Sequence, residues 1–517
     1  MQHGFNKMPD WPLYLLILYF RRMWRLRFFI ITLSISAAPS VFAASFDFND
    51  QCKKAYEDLI ALRISAGKQE LNQELATHPD NLIPVMLDSY SDFFPLFFNE
   101  DAGQWEACKT RMSQRLDKLE KGPDNNPYYR YGKGIVYFQR CAMRIKFGEY
   151  LRAATDFRTA YQLFKENHSR FPDFYYNLPY LGAMEAIAGT IPDGYKWVAG
   201  VLGIKGNVDR GIDKLETGIN KAIQQNQWNK CEALFLFVYA QKYLGNNPER
   251  AWQLINKAAI PTRNNLLMTF MQANLSLNNH QASKTMQVIR NFEETPAYLD
   301  VPMMDFEQGS ALLYHLDAGA EPYLLAFTRN FKGRFYVKDA YKKLASLAYL
   351  QGNMAKANQY KQLILTKGNT ETDADKQALR FAKQPDYPNV LLLKTGLLCD
   401  GGYYTDALQL VNGKTSASFS SNAEKTEFSY RLGRIYDLMG QDEKAIPYYL
   451  TAIKTGENQP EHFAARAALE IGAIYERQHN NTLALAFYRR CLAMHGHDYK
   501  NSLDQRAKAA INRISQN

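Results

Sequence analysis

The sequence lacks the short motifs that announce a catalytic centre. There is no HExxH, no GxSxG and no paired-carboxylate motif. GKTS at 413–416 has the end of a phosphate-binding loop, but Leu408 stands where that loop needs its first glycine, and a helical pattern precedes it instead of a strand. No CxxC occurs, and the six cysteines (Cys52, Cys108, Cys141, Cys231, Cys399, Cys491) are scattered. Sequence alone leaves all 15 pairings open, and their helical positions favour buried small residues. No alternating apolar run reads as a strand. No Lys/Arg block of the kind that neutralises phosphates follows Arg27, which argues against nucleic acid.

What is present points to a long folded chain. At 517 residues it exceeds what one compact core holds, so several domains or a repeat array are expected. Hydrophobic residues at 46% and charged residues at 22% exclude a disordered chain. The 33 Tyr and 30 Phe suit wide helix interfaces or an aromatic concave surface. The net charge is +10, but residues 1–43 hold five basic residues and one acid. Without them 57 basic and 51 acidic residues remain, a mild balance of +6.

That N-terminal stretch reads as an export signal. In MWRLRFFIITLSISAAPSVFA (23–43), Arg25 and Arg27 precede an apolar run, and Val41 and Ala43 sit at the −3 and −1 positions of a cleavage site. The apolar run is about 16 residues, short for a membrane span. A start at Met23 gives a signal of ordinary length; a longer N-terminal anchor is the alternative. No cysteine follows the cleavage site as in a lipoprotein.

Residues 426–452 set out a pattern. Counting Thr426 as position 1, Gly433 is at 8, Tyr436 at 11, Gly440 at 15, Ala445 at 20, Tyr449 at 24 and Ala452 at 27. Small residues at 8, 20 and 27 let two antiparallel helices touch, large ones at 11 and 24 fill the groove, and glycine at 15 turns the chain. The register recurs from Lys338 (Ala345, Gly352, Ala357), from Gly134 (Cys141, Gly148, Ala153, Phe157, Ala160), from Pro192 (Ala199, Leu202, Gly206, Gly211, Leu215, Gly218) and near residue 465 (Gly472, Tyr475, Ala484, Tyr488, Cys491). Weaker copies begin near 53, 231, 263, 302 and 389, and 82–121 reads as another helix pair. This resembles the tetratricopeptide repeat (TPR), whose period is 34 residues. The expected fold is all-α: an α-solenoid of about eleven irregular TPR-like helix pairs, a right-handed superhelix by that resemblance, with a closing helix near 502–515. The expected organisation is a signal at 1–43, N-terminal pairs at 44–133, repeats with an inserted helix (about 178–189) at 134–230, degenerate repeats at 231–388, and C-terminal repeats with the closing helix at 389–517.

The chain as a whole resembles exported TPR proteins of Gram-negative envelopes. The resemblance implies a non-enzymatic scaffold, periplasmic or associated with the outer membrane, that binds other proteins or peptides through a concave face. It implies no cofactor, no metal, no nucleic acid, and membrane contact only through the export signal. CLAMHGHD (491–498) brings Cys491, His495, His497 and Asp498 together, but Cys491 falls on a packing position and Gly496 ends the helix, so a helix terminus with dipole-favoured histidines is expected there. The most site-like stretch is 171–206, where Phe174, Tyr175, Tyr176, Tyr180, Tyr195 and Trp197 form a candidate partner groove. The same aromatics could instead seal the inserted helix against the array. Alternative functions are a glycan- or nutrient-binding envelope protein, or an enzyme with its site near 171–206.

Overall fold

The computed structural model describes residues 43–190, 204, 206–245 and 247–516. The export segment up to Phe42 lies outside them, as do Tyr195, Trp197 and the stretch with Ala199 and Leu202. Among the described residues there are 24 α-helices and no strand, only an isolated bridge between Ser45 and Asn81. No helix there is long and apolar enough to cross a membrane.

The helices run as antiparallel pairs. The first four are α1 (Asp50–Ile60) with α2 (Ile64–Thr77), α3 (Ile83–Asn99) with α4 (Ala102–Leu119), α5 (Pro127–Lys146) with α6 (Tyr150–Arg170), and α7 (Asn177–Gly189) with α8 (Val208–Gln224). The next four are α9 (Lys230–Ala240, extended by a π turn at Gln241–Gly245) with α10 (Pro248–Ala258), α11 (Leu266–Asn278) with α12 (Ala282–Arg290), α13 (Pro302–Tyr314) with α14 (Ala320–Asn330), and α15 (Val337–Leu350) with α16 (Met354–Thr366). A single helix, α17 (Asp373–Lys383), interrupts the series. Three further pairs follow: α18 (Val390–Gly401) with α19 (Tyr404–Leu410), α20 (Asn422–Leu438) with α21 (Asp442–Gly456), and α22 (Phe463–Arg477) with α23 (Asn481–Ala493). α24 (Lys500–Gln516) closes the array. The chain is an all-α solenoid, with eleven pairs among the described residues.

The repeat positions work as the spacing requires. A Cβ on Gly433 would lie 2.6 Å from the Tyr449 ring, and one on Gly472 would lie 2.6 Å from the Tyr488 ring. Position 15 takes a left-handed backbone: Gly440 has φ +71° and Gly352 φ +78°. Helix starts are fixed by side-chain caps, including Asn49, Asn207, Asn265, Asn353 and Asn480, and by a reciprocal Ser421–Glu424 box. Cys141 and Cys491 sit buried at packing positions, all six thiols are free, and GKTS lies in the connection between α19 and α20.

The structure corrects two expectations. The helix expected as an insert, α7, is itself the first member of the fourth pair. Gly182 of α7 meets Gly211 and Leu215 of α8 backbone to backbone, so α8 takes α7 as its partner. The copy counted from Pro192 assigned α8 correctly but looked for its partner too late in the chain. Second, the pattern does not anticipate α17. Thr372 caps it, and its buried Asp375 accepts from the backbone N–H of Tyr336 (2.7 Å) and Asp339 (3.1 Å). One short helix thus caps the start of α15 in place of a repeat partner.

The array winds back on itself. Leu299 donates its backbone N–H to Leu62 O at 2.8 Å, and Leu266 to Ala61 O at 3.3 Å. Arg63 reaches Asn264 O and the Tyr298 hydroxyl, and Phe98 packs edge-on against Phe270 at 5.1 Å. The first two pairs therefore close against the sixth and the approach to the seventh. One contiguous core runs from Phe46 to Val301. Beyond it the cores are separate and smaller, the last running from Tyr430 to Ile514.

Candidate functional site

The first helix of each pair lines the inside of the closed turn. Four of them carry a fully covered tyrosine: Tyr56 on α1, Tyr90 on α3, Tyr131 on α5 and Tyr180 on α7. Edge-to-face contacts link Tyr56 to Tyr90 and Tyr131 to Tyr180, each at 5.9 Å. Glu232 on α9 points among them. The Tyr90 hydroxyl donates to both of its oxygens, at 3.1 and 2.8 Å. Burial pushes the Glu232 carboxyl up to about 7, while the hydroxyls of Tyr180, Tyr90 and Tyr56 hold it down only in part. The inside of this turn is therefore filled by its own side chains and is not an open groove.

The aromatic stretch chosen from the sequence divides. Tyr180 is core, stacked on Phe164 at 4.7 Å, and cannot face a partner. Phe174 lies edge-on to Tyr128 and Tyr131, and Tyr176 stacks on Trp228 at 5.1 Å. Trp228 in turn stacks on Phe48 at 4.5 Å. These half-buried rings cover one another's faces, so the surfaces a sugar would need are already occupied. Tyr175 stands apart, with Lys221 over its ring at 4.8 Å. Tyr195 and Trp197 lie outside the described residues. The sequence reading missed Phe48, Tyr128 and Trp228; the recurrence of one tyrosine per first helix was the signal that could have pointed to the filled interior.

The C-terminal pairs have a different inner face. Along α18, α20, α22 and α24, charged side chains with partial or full exposure link neighbouring helices. Arg434 bonds Asp400 at 2.8 Å, Arg477 bonds Asp437 at 2.8 Å, Arg466 and Arg506 share Glu470, and Arg513 bonds Glu476. Arg380 of α17 lies over the Tyr499 ring at 3.6 Å. The local field is positive: burial, then Arg466, Arg431 and Arg380, push His462 down to about 3. Where the closed turn meets the middle of the chain there is a cavity of about 440 Å³, lined from α3, α11, α13 and α15 among others.

No protein-family model matches this chain, and no curated protein matches it. Among solved structures, the TPR domain of P58(IPK) is similar at 13% identity, with 83% of this chain and 97% of that chain covered and a TM-score of 0.21. The APC/C hetero-tetramer Cut9-Hcn1 is similar at 12% identity, with 89% and 95% covered and a TM-score of 0.19. At such scores the assignment of the fold rests on this molecule's own helix pairs.

Proposed function

We propose that this chain is a non-enzymatic scaffold of the cell envelope that holds partner proteins or peptides on the inner face of its C-terminal array. The observation that carries this reading is the difference between the two inner faces. The N-terminal one is filled with tyrosines, whereas the C-terminal one carries a ladder of partly exposed arginines and carboxylates. A stacked array with an open charged face suits an extended or helical segment, and the positive field around His462 favours an acidic one. The basic-then-apolar N-terminus ending in Ala43 supports export as the route to the envelope.

In-cell crosslinking of a tagged protein in its native host, followed by enrichment from the envelope fraction, tests this. The expected result is a reproducible partner that an Arg431→Ala/Arg466→Ala variant loses while its circular dichroism is unchanged. A partner retained by that variant removes the arginine face as the site. No partner above background ends the scaffold reading.

A further inference from the structure

The 440 Å³ cavity adjoins the first rung of the arginine face, the Arg434–Asp400 pair, and has a polar centre of its own. Most charged groups on its wall are matched. Lys146 pairs with Glu100, Lys343 with Asp339, and Arg434 with Asp400. Glu307 on α13 is the exception. It is 2% exposed, and no cation among the described residues makes an ion pair with it. One carboxylate oxygen accepts from the Asn274 side-chain amide, whose own oxygen takes a bond from Lys242. The other, Oε2, has no hydrogen-bond partner among the described residues. One turn further along the same face, the fully buried Ser310 hydroxyl is also without one. Burial holds the Glu307 carboxyl above its ordinary range, against the pull of Lys242, Asn274 and Lys343.

A buried carboxylate oxygen with no donor is costly, and a ligand that brings a donor recovers that cost. Around Glu307 the wall is aromatic, with Tyr239, Phe306, Tyr314, Phe335 and Tyr336. Tyr243, 60% exposed, stands at the edge. Lys242 already stands over Tyr239 and Tyr243, Lys343 over Phe306 and Tyr314, and Lys146 over Phe335, so the wall offers its remaining aromatic surface to an apolar stem, and the volume is that of a small-ligand site.

We infer that this cavity binds a protonated amine carried on an apolar stem, the ammonium donating to Glu307 Oε2 and Ser310 Oγ and the stem lying against the aromatic wall. The ammonium could come from a free organic amine or from a lysine side chain of a bound peptide; the chemistry at Glu307 is the same.

The test is calorimetric titration of the full chain with phenethylamine, with its neutral counterpart 2-phenylethanol, and with acetyl-Ala-Lys-Ala-amide. Saturable binding of an amine is expected, at least tenfold tighter than the alcohol and at least tenfold weakened by Glu307→Gln. Binding of phenethylamine alone identifies a free amine as the source, and binding of the peptide alone a side chain. Equal binding of amine and alcohol overturns the proposal, as does undiminished binding by the variant or no binding of either amine. Should Glu307→Gln fail to fold, Ser310→Ala replaces it, with amine affinity expected to fall about threefold; unchanged affinity there overturns the proposal equally.

Discussion

Two regions of this molecule are built from the same unit and held together differently. From α1 to α11 the helices close on themselves and share one core, so Tyr131 on α5 and Trp228 at the entry to α9 are direct neighbours at 6.1 Å. From α18 to α24 each pair packs on the next, and the cores are serial. A serial array adds stability pair by pair and can fray from its end, whereas a closed turn gains or loses its stability as one body. Closure also decides what the inner face can do. In the first region it is interior; in the second it remains surface.

The strongest way to break this comparison is Tyr131→Ala. The ring contacts Tyr128, Phe164, Phe174, Tyr180 and Trp228. Its loss is expected to cost about 3–5 kcal/mol and to lower hydrogen-exchange protection across all of α1 to α11. Loss confined to α5 and its neighbours would show that the closed turn does not act as one body.

Glu232→Gln sharpens the same point through pH. The folded carboxyl titrates at about 7, above its ordinary value of 4.5. Between those values the native state holds the proton longer than the unfolded chain, so stability falls as pH rises through that window. The loss is complete above pH 7 and amounts to at most about 3 kcal/mol. The Gln variant is expected to be more stable than wild type at pH 8 and to lose that part of the pH dependence between 5 and 8, read by urea unfolding at both ends. A variant no more stable at pH 8 would show that the tyrosines already compensate the charge.

Gly472→Ala probes the serial region. Its Cβ would press on the Tyr488 ring, which is 2% exposed and has no room to move. A cost of about 1–3 kcal/mol is expected, with exchange protection falling in α20 to α24 and unchanged in α1 to α11. Propagation into the closed turn would remove the distinction between the regions. The smallest effect is a gain. His479 occupies position 15 of the last pair with φ +58°, where other copies place glycine. His479→Gly is expected to stabilise the C-terminal pairs by about 0.5–1 kcal/mol, seen as a shift of the urea midpoint.

The repeat was legible because its determinants are local. Gly433, Gly440, Ala445 and Tyr449 lie within one pair, and their spacing follows from two helices touching. The fourth pair was misassigned because Gly182 and Gly211 meet across a long connection, so no fixed spacing marks them. α17 escaped notice because it caps a neighbour instead of filling a repeat position. Tyr180 leaves the candidate groove for a further reason: whether it faces outward depends on the turn closing, which rests on contacts such as Leu62 with Leu299. The cavity was invisible for the same cause, since Glu307, Asn274, Glu100 and Asp400 come from four distant segments.

The bonds from Leu62 to Leu299 and from Arg63 to Tyr298 also set an order of events during synthesis. A chain made from its N-terminus exposes α1, α3 and α5 long before residue 299 exists. Tyr56, Tyr90 and Tyr131 have no sealed interior to occupy until Trp228 and Glu232 have emerged, and local pairing of α1 with α2 does not cover them. Contacts of such sequence separation form slowly and leave apolar surface open in the meantime. The N-terminal half must therefore wait for the middle of its own chain, whereas the C-terminal pairs complete themselves almost as fast as they emerge.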